Sequence, residues 1–138
     1  MRLDIILKAL HVTANVFWVG AIVAVALIMV ADLGDSKTRG ALAHRVYLRA
    51  AVPGFVLSFL AGTGRLALDA SLYMKQGWFH AKLLFVLIVI ALHHVIGGKA
   101  KKMAAGDVDD AGKAGALAIA LAVAGALAAF VAVWRFGK

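Results

Sequence analysis

The chain reads as an all-α membrane protein, a four-helix antiparallel transmembrane bundle forming one domain over residues 1–138. Three observations predict this. Hydrophobic residues make up 64% of the sequence and mean hydropathy is +0.93, against roughly 45–50% apolar usage in soluble domains. The apolar residues gather into four stretches, each close to the ~20 residues that cross a ~30 Å hydrocarbon core. Short polar segments separate the stretches, as expected of consecutive helices packed antiparallel. Within lipid the stretches must be helical, because a lone strand leaves its backbone groups unpaired.

The first stretch covers about 5–31. Met1-Arg2-Leu3-Asp4 leads straight into it with base and acid together, a pattern unlike a cleaved signal. The second covers about 47–68, with Arg65 and Asp69 spaced i, i+4 at its far end. The third covers about 78–98 and opens on Trp78, a residue suited to the interfacial aromatic belt. The stretch from Gly106 to Asp110 lacks EF-hand ligand spacing and reads as a polar turn. The fourth, about 114–136, is nearly all Ala, Gly, Leu, Val and Ile. Its small residues at Gly115, Ala118, Ala122, Gly125, Ala129 and Ala132 permit close helix approach. They serve neighbouring helices or a homo-oligomer equally well.

Charge and cysteine content narrow the classes. The net charge is +8, but the basic residues flank apolar stretches, where they anchor helices to a lipid bilayer and argue against nucleic acid. The first and third connections with their adjoining helix ends carry Lys37, Arg39, Arg45, Arg49, Lys99, Lys101, Lys102 and Lys113. The opposite side carries Arg2, Lys8, Lys75, Lys82, Arg135 and Lys138, with Arg65 near it. The positive-inside rule then puts both termini on the non-cytoplasmic side of an inner (cytoplasmic) membrane. The absence of cysteine excludes disulfides, iron–sulfur clusters, thiolate haem ligation and Cys-based zinc sites.

The chemistry-bearing residues are five histidines. His11, His93 and His94 fall inside apolar stretches, where polar side chains are costly and mark ligand, proton or cofactor sites. Lys8, His11, Asn15 and Trp18 share one face of the first helix. A plain structural account of that stripe is an interfacial lysine, a histidine bonded to a neighbouring helix and a core tryptophan. In the third helix His80 and His94 share one face, with Lys82 and His93 on roughly the other. The rise of ~1.5 Å per residue separates His80 from His93 by ~20 Å along the axis. Helices one and three run in the same direction, so His11 and His80 reach a common depth. They are the preferred axial pair for a haem iron, with His94 in reserve and a second site near His44 and His93 or His94. Lys8, Arg65 and Lys82 form a basic cluster near the bundle mouth, suited to carboxylates such as haem propionates. Arg65 with Asp69 also reads as an ordinary helix-end ion pair. No HExxH spacing supports zinc.

Lys8-Ala9-Leu10-His11, followed by Trp18 and Gly20, resembles the first-helix motif of the HemJ-type protoporphyrinogen IX oxidases. Gly77-Trp78-Phe79-His80-Ala81-Lys82-Leu83-Leu84 resembles that family's third-helix opening. Pro53, Gly62, Gly64 and the His94 region fit the same pattern, and CopD-like copper-export domains share the architecture. The chain departs from the family between Gly106 and Gly115, where it has no proline, and in its Trp134–Lys138 ending. The resemblance implies a membrane protein that binds haem b and oxidises a tetrapyrrole substrate, protoporphyrinogen IX, passing electrons to the respiratory chain. It implies His11 as a haem ligand and Lys82 as a residue needed for activity. Beside this stand a non-enzymatic b-type cytochrome exchanging electrons with quinone, a metal transporter, and a structural subunit of a membrane complex. Met29, Met74 and Met103 are scattered, which gives a copper(I) thioether path little support.

Overall fold

The computed structural model describes residues 2–135. Their elements are α1 (Leu3–Val30), α2 (Ser36–Val46), a π-helical turn (Tyr47–Ala51), α3 (Val52–Leu68), the short α4 (Ala70–Met74), α5 (Gly77–Ala105) and α6 (Ala114–Trp134). Helices α2 and α3 run on through the π turn without a break. Four helices are therefore long and apolar enough to cross a membrane: Leu3–Val30, Ser36–Leu68, Gly77–Ala105 and Ala114–Trp134. The all-α membrane class predicted from hydropathy is the class observed.

Two helices are longer than hydropathy suggested. The second begins at Ser36 rather than near 47, because Asp35 caps it, accepting the Thr38 backbone N–H at 2.9 Å and the Thr38 hydroxyl at 2.6 Å. Its first turns carry Lys37, Arg39 and Arg45, so they are helical without being apolar. The third continues past Gly98 to Ala105 and ends where Gly106 adopts φ +82°, a left-handed C-cap that glycine takes at little cost. Phe136, the predicted end of the fourth helix, lies outside the described residues.

Helix α1 is the hub. It packs extensively on α2, the π turn and α3 along one side and on α6 along another, with a smaller contact to α5. Helix α5 packs on α2 and α6. The core combines Trp18, Ile22, Val25 and Met29 of α1 with Val89, Ile96 and Met103 of α5 and Leu121 of α6. Phe17, Leu60, Leu87 and Ile119 point outward, as lipid-facing side chains do. Part of the small-residue stripe on α6 is used within the chain: a Cβ at Gly115 or Gly125 would meet Val30 or Val19 of α1 at 3.9 or 3.8 Å. The backbones of α3 and α5 stay apart, and side chains bridge them: Phe55 packs on His93 and His94, and Leu66 on the Trp78–Phe79 pair. At the end away from the termini α2 and α5 tie the bundle together.

Gly40 sets the α2–α5 spacing. A Cβ there would lie 2.5 Å from the backbone of Met103 and Ala104, and backbone cannot swing aside. Gly40→Ala is expected to cost about 1–3 kcal/mol by overpacking. Gly20→Ala, with nothing within 4 Å, should leave stability unchanged or slightly raised. Thermal melting of the detergent-solubilised variants checks the pair.

The Asp35 cap also carries a pH dependence. Hydrogen bonds from the Thr38 hydroxyl and backbone hold its carboxyl below the usual carboxylate range. Its contribution is present above the ordinary carboxylate pKa and lost as pH falls through the depressed native value. Asp35→Asn should therefore flatten the acid limb of the melting-temperature profile.

Candidate functional site

The α1–α3 seam is built from small residues on α3 and polar ones on α1. Gly54, Ser58 and Gly62 recur every fourth residue, a spacing that brings two backbones close. A Cβ at Gly54 would sit 3.0 Å from Phe17, and one at Gly62 would sit 2.7 Å from His11 Cε1. The His11 imidazole therefore occupies space that Gly62 leaves vacant.

A closed hydrogen-bond network fills the seam. His11 Nδ1 donates to the Ser58 carbonyl at 2.9 Å. Asn15 Nδ2 donates to His11 Nε2 at 3.1 Å and to the His11 carbonyl at 2.8 Å. The Ser58 hydroxyl donates to Asn15 Oδ1 at 2.9 Å. These partners fix a neutral imidazole with its proton on Nδ1 and a lone pair on Nε2. A backbone carbonyl on the distal N–H is the outer support usual for a metal-ligating histidine. Lys82 and Arg65 lie near enough for their charges to bear on His11, and on each other. Arg65 Nη1 donates to the Asp4 carbonyl at 3.1 Å, and its guanidinium lies 5.9 Å from the Tyr73 ring centroid.

The predicted site residues are thus only partly gathered. His11 and Asn15 share the α1–α3 seam, with Lys82 and Arg65 close enough for their charges to act on His11. Lys8 is exposed at the end of the same stripe. His80 lies on the exposed face of α5, where its Nε2 donates to the Met74 carbonyl at 2.9 Å. No described hydrogen bond joins it to His11. His94 is also exposed, while Lys82 is half-buried and His93 fully buried, the division of α5 into two faces expected from helical spacing. Among the described residues, no group of three or more His, Cys, Asp or Glu is placed to hold a metal ion. Arg65 and Asp69 form no ion pair; the salt bridge among the described residues joins exposed Arg2 and Asp4 at 3.6 Å.

A second constellation lies deeper. Trp18 completes the α1 stripe but turns toward α5, donating its indole N–H to His93 Nδ1 at 3.0 Å. The His93 side chain is 0% exposed, and its ring packs on Tyr47, Phe55 and His94 with centroids at 4.9, 5.3 and 5.0 Å. Because Nδ1 accepts a hydrogen bond, the neutral ring carries its proton on Nε2, and that N–H has no partner. This tautomer leaves His93 without a free lone pair for a metal. Ser58, Tyr47 and Phe55 escaped the sequence reading as site residues, and Gly62 entered it only through the family pattern. The Gly54-Ser58-Gly62 repeat was visible there as a small-residue stripe with one hydroxyl in it. The π turn that positions Tyr47 has no such signature.

No protein-family model, curated protein or solved structure matches the chain.

The network makes an energetic prediction. Ser58→Ala strips Asn15 Oδ1 of its donor at a site where Ser58 is 3% exposed. The expected cost is about 1–3 kcal/mol. Asn15→Leu should largely abolish that further loss, so a double-mutant cycle in detergent is expected to show coupling between the two positions.

Proposed function

We propose that the chain is a haem-b-binding membrane oxidoreductase resembling the HemJ-type enzymes. On this reading it oxidises protoporphyrinogen IX and passes the electrons to a respiratory acceptor. The observation that carries the reading is His11. Its ring is locked by a backbone carbonyl at Nδ1, turns the Nε2 lone pair to the Asn15 amide, and lies within reach of the charges of Lys82 and Arg65.

His11 would hold the iron of a haem through Nε2 once Asn15 Nδ2, which donates both to that nitrogen and to the His11 carbonyl, gives up the first bond. A second ligand would come from His80, with His94 as the alternative, and either would have to turn inward from the exposed face of α5. Haem supplies a centre that takes up electrons one at a time. The remaining work falls to the chain. Arg65 and Lys82 hold the propionate carboxylates, contacts of a kind typically worth ~1.5–3 kcal/mol each. Lys82 Nζ, half-buried beside Arg65, would take up a substrate proton only after losing its own, and Arg65 would then hold the carboxylate alone.

One observation favours a simpler b-type cytochrome. Trp18, His93, Tyr47 and His44 form a run of ring contacts, with centroids 5.6, 4.9 and 6.4 Å apart, leading from the α1 stripe toward the opposite end of the bundle. Such a run suits electron passage without substrate chemistry.

Variants separate the two readings. His11→Ala is expected to lose the haem, while His44→Ala keeps it. Lys82→Met should retain the haem spectrum and abolish porphyrinogen oxidation, measured by rescue of a strain lacking its own protoporphyrinogen oxidase. A wild-type chain that is expressed, carries haem and fails to rescue favours the cytochrome. Sidedness is tested by a reporter fused after Lys138, which should be active outside the cytoplasm.

A further inference from the structure

A cavity of about 580 Å³ lies at the end of the bundle that bears the termini, among the first turn of α1, the α3–α4 corner, the start of α5 and the end of α6. Its charged lining is Asp4, Arg65, Asp69 and Arg135, set around Tyr73 and Trp78. Two cations and two anions share this space without pairing across it. The salt bridge among the described residues joins Asp4 to exposed Arg2 instead. Arg65 and Asp69 are four residues apart, but α3 ends at Asp69, whose φ of −155° and ψ of 53° take it out of the helical register in which such pairs meet.

The guanidiniums are held by other means. Arg65 lies over the Tyr73 ring, 5.9 Å from its centroid, and donates to the Asp4 carbonyl. Arg135 lies over the Trp78 ring at 5.6 Å, and its Nε donates to the Ala132 carbonyl at 3.4 Å. Each bond uses one of the five N–H groups a guanidinium carries. The other N–H groups have no acceptor among the described residues. The cavity sits where the helices end, at the depth where Trp and Tyr meet lipid headgroups. Leu68 and Leu72 belong to its wall and are 51% and 52% exposed, so one side faces acyl chains.

We propose that this cavity holds the headgroup of a zwitterionic phospholipid with a primary ammonium, phosphatidylethanolamine. The phosphate takes free N–H groups of Arg65 and Arg135, the kind of charge-assisted contact that favours guanidinium. The ammonium donates to the carboxylates of Asp69 and Asp4, and the acyl chains leave over Leu68 and Leu72. A purely anionic headgroup would satisfy the arginines and set its charge against two carboxylates. A choline headgroup brings no N–H to those carboxylates, and the rings that could cage its methyl groups already carry guanidiniums. The proposal does not rest on the oxidoreductase reading, with which it shares Arg65 alone.

The test measures lipid binding to the full chain, delipidated in detergent, by native mass spectrometry. Phosphatidylethanolamine, phosphatidylcholine and phosphatidylglycerol with identical palmitoyl-oleoyl chains are titrated separately. Phosphatidylethanolamine is expected to bind at least about tenfold more tightly than either of the others, the scale of one charge-assisted contact. Arg135→Gln should weaken it about tenfold. Asp69→Asn should weaken it and narrow its advantage over phosphatidylglycerol. Lys75→Gln, an exposed cation outside the cavity lining, should change nothing. Equal affinity for the three lipids overturns the proposal, as does a preference for phosphatidylglycerol, which would make this an anionic-lipid site. Wild-type binding by both Arg135→Gln and Asp69→Asn overturns it as well. So does glycerophosphoethanolamine, the headgroup without its chains, if it displaces the lipid at equal concentration.

Discussion

The structure depends on one constraint: polar groups inside a bilayer must find partners within the protein. In water, Asn15, Ser58 and His11 would be interchangeable surface side chains. Between α1 and α3 they have no solvent to bond, so each nitrogen and oxygen takes up another. His11 reaches the α3 carbonyl of Ser58, Asn15 reaches His11, and Ser58 reaches Asn15. That circuit fixes the rotation of α1 about its axis. With α1 fixed, Trp18 must point at α5 and donate to His93. The small residues Gly54 and Gly62 are the steric half of the same constraint, since any larger side chain would push the circuit apart.

The two ends of the bundle are consequently unlike. At one end Gly40 lets α2 lie directly on the α5 backbone. Toward the other, the α3 and α5 backbones stand apart and side chains span the distance, Phe55 reaching His93 and Leu66 reaching the Trp78–Phe79 pair. His11 is held there with Nδ1 tied to the Ser58 carbonyl and Nε2 to the Asn15 amide.

Hydropathy made the four helices and the membrane class legible, because the bilayer imposes length and apolarity on every span. Helix ends were less legible where physics acts on single residues. Asp35 starts α2 by capping, and Gly106 stops α5 by adopting a left-handed turn; neither alters average hydropathy. The α1 stripe was readable from spacing alone, and its members do share a face. What spacing did not reveal was that the stripe divides, His11 serving α3 and Trp18 serving α5. Depth likewise placed His11 and His80 at one level but carried no information about direction, and His80 turns outward to the Met74 carbonyl. The π turn at Tyr47 was invisible, since its sequence is that of ordinary helix.

The account stands on His11 as a group that holds a prosthetic iron rather than one that merely ties α1 to α3. The most direct measurement is the reduced-minus-oxidised absorption spectrum of the wild-type chain, purified from cells supplied with haem precursor. A Soret band with resolved α and β bands on reduction, at a fixed ratio of haem to protein, is the predicted result. A folded, monodisperse protein without haem absorbance would contradict it and leave the polar seam as structural glue alone.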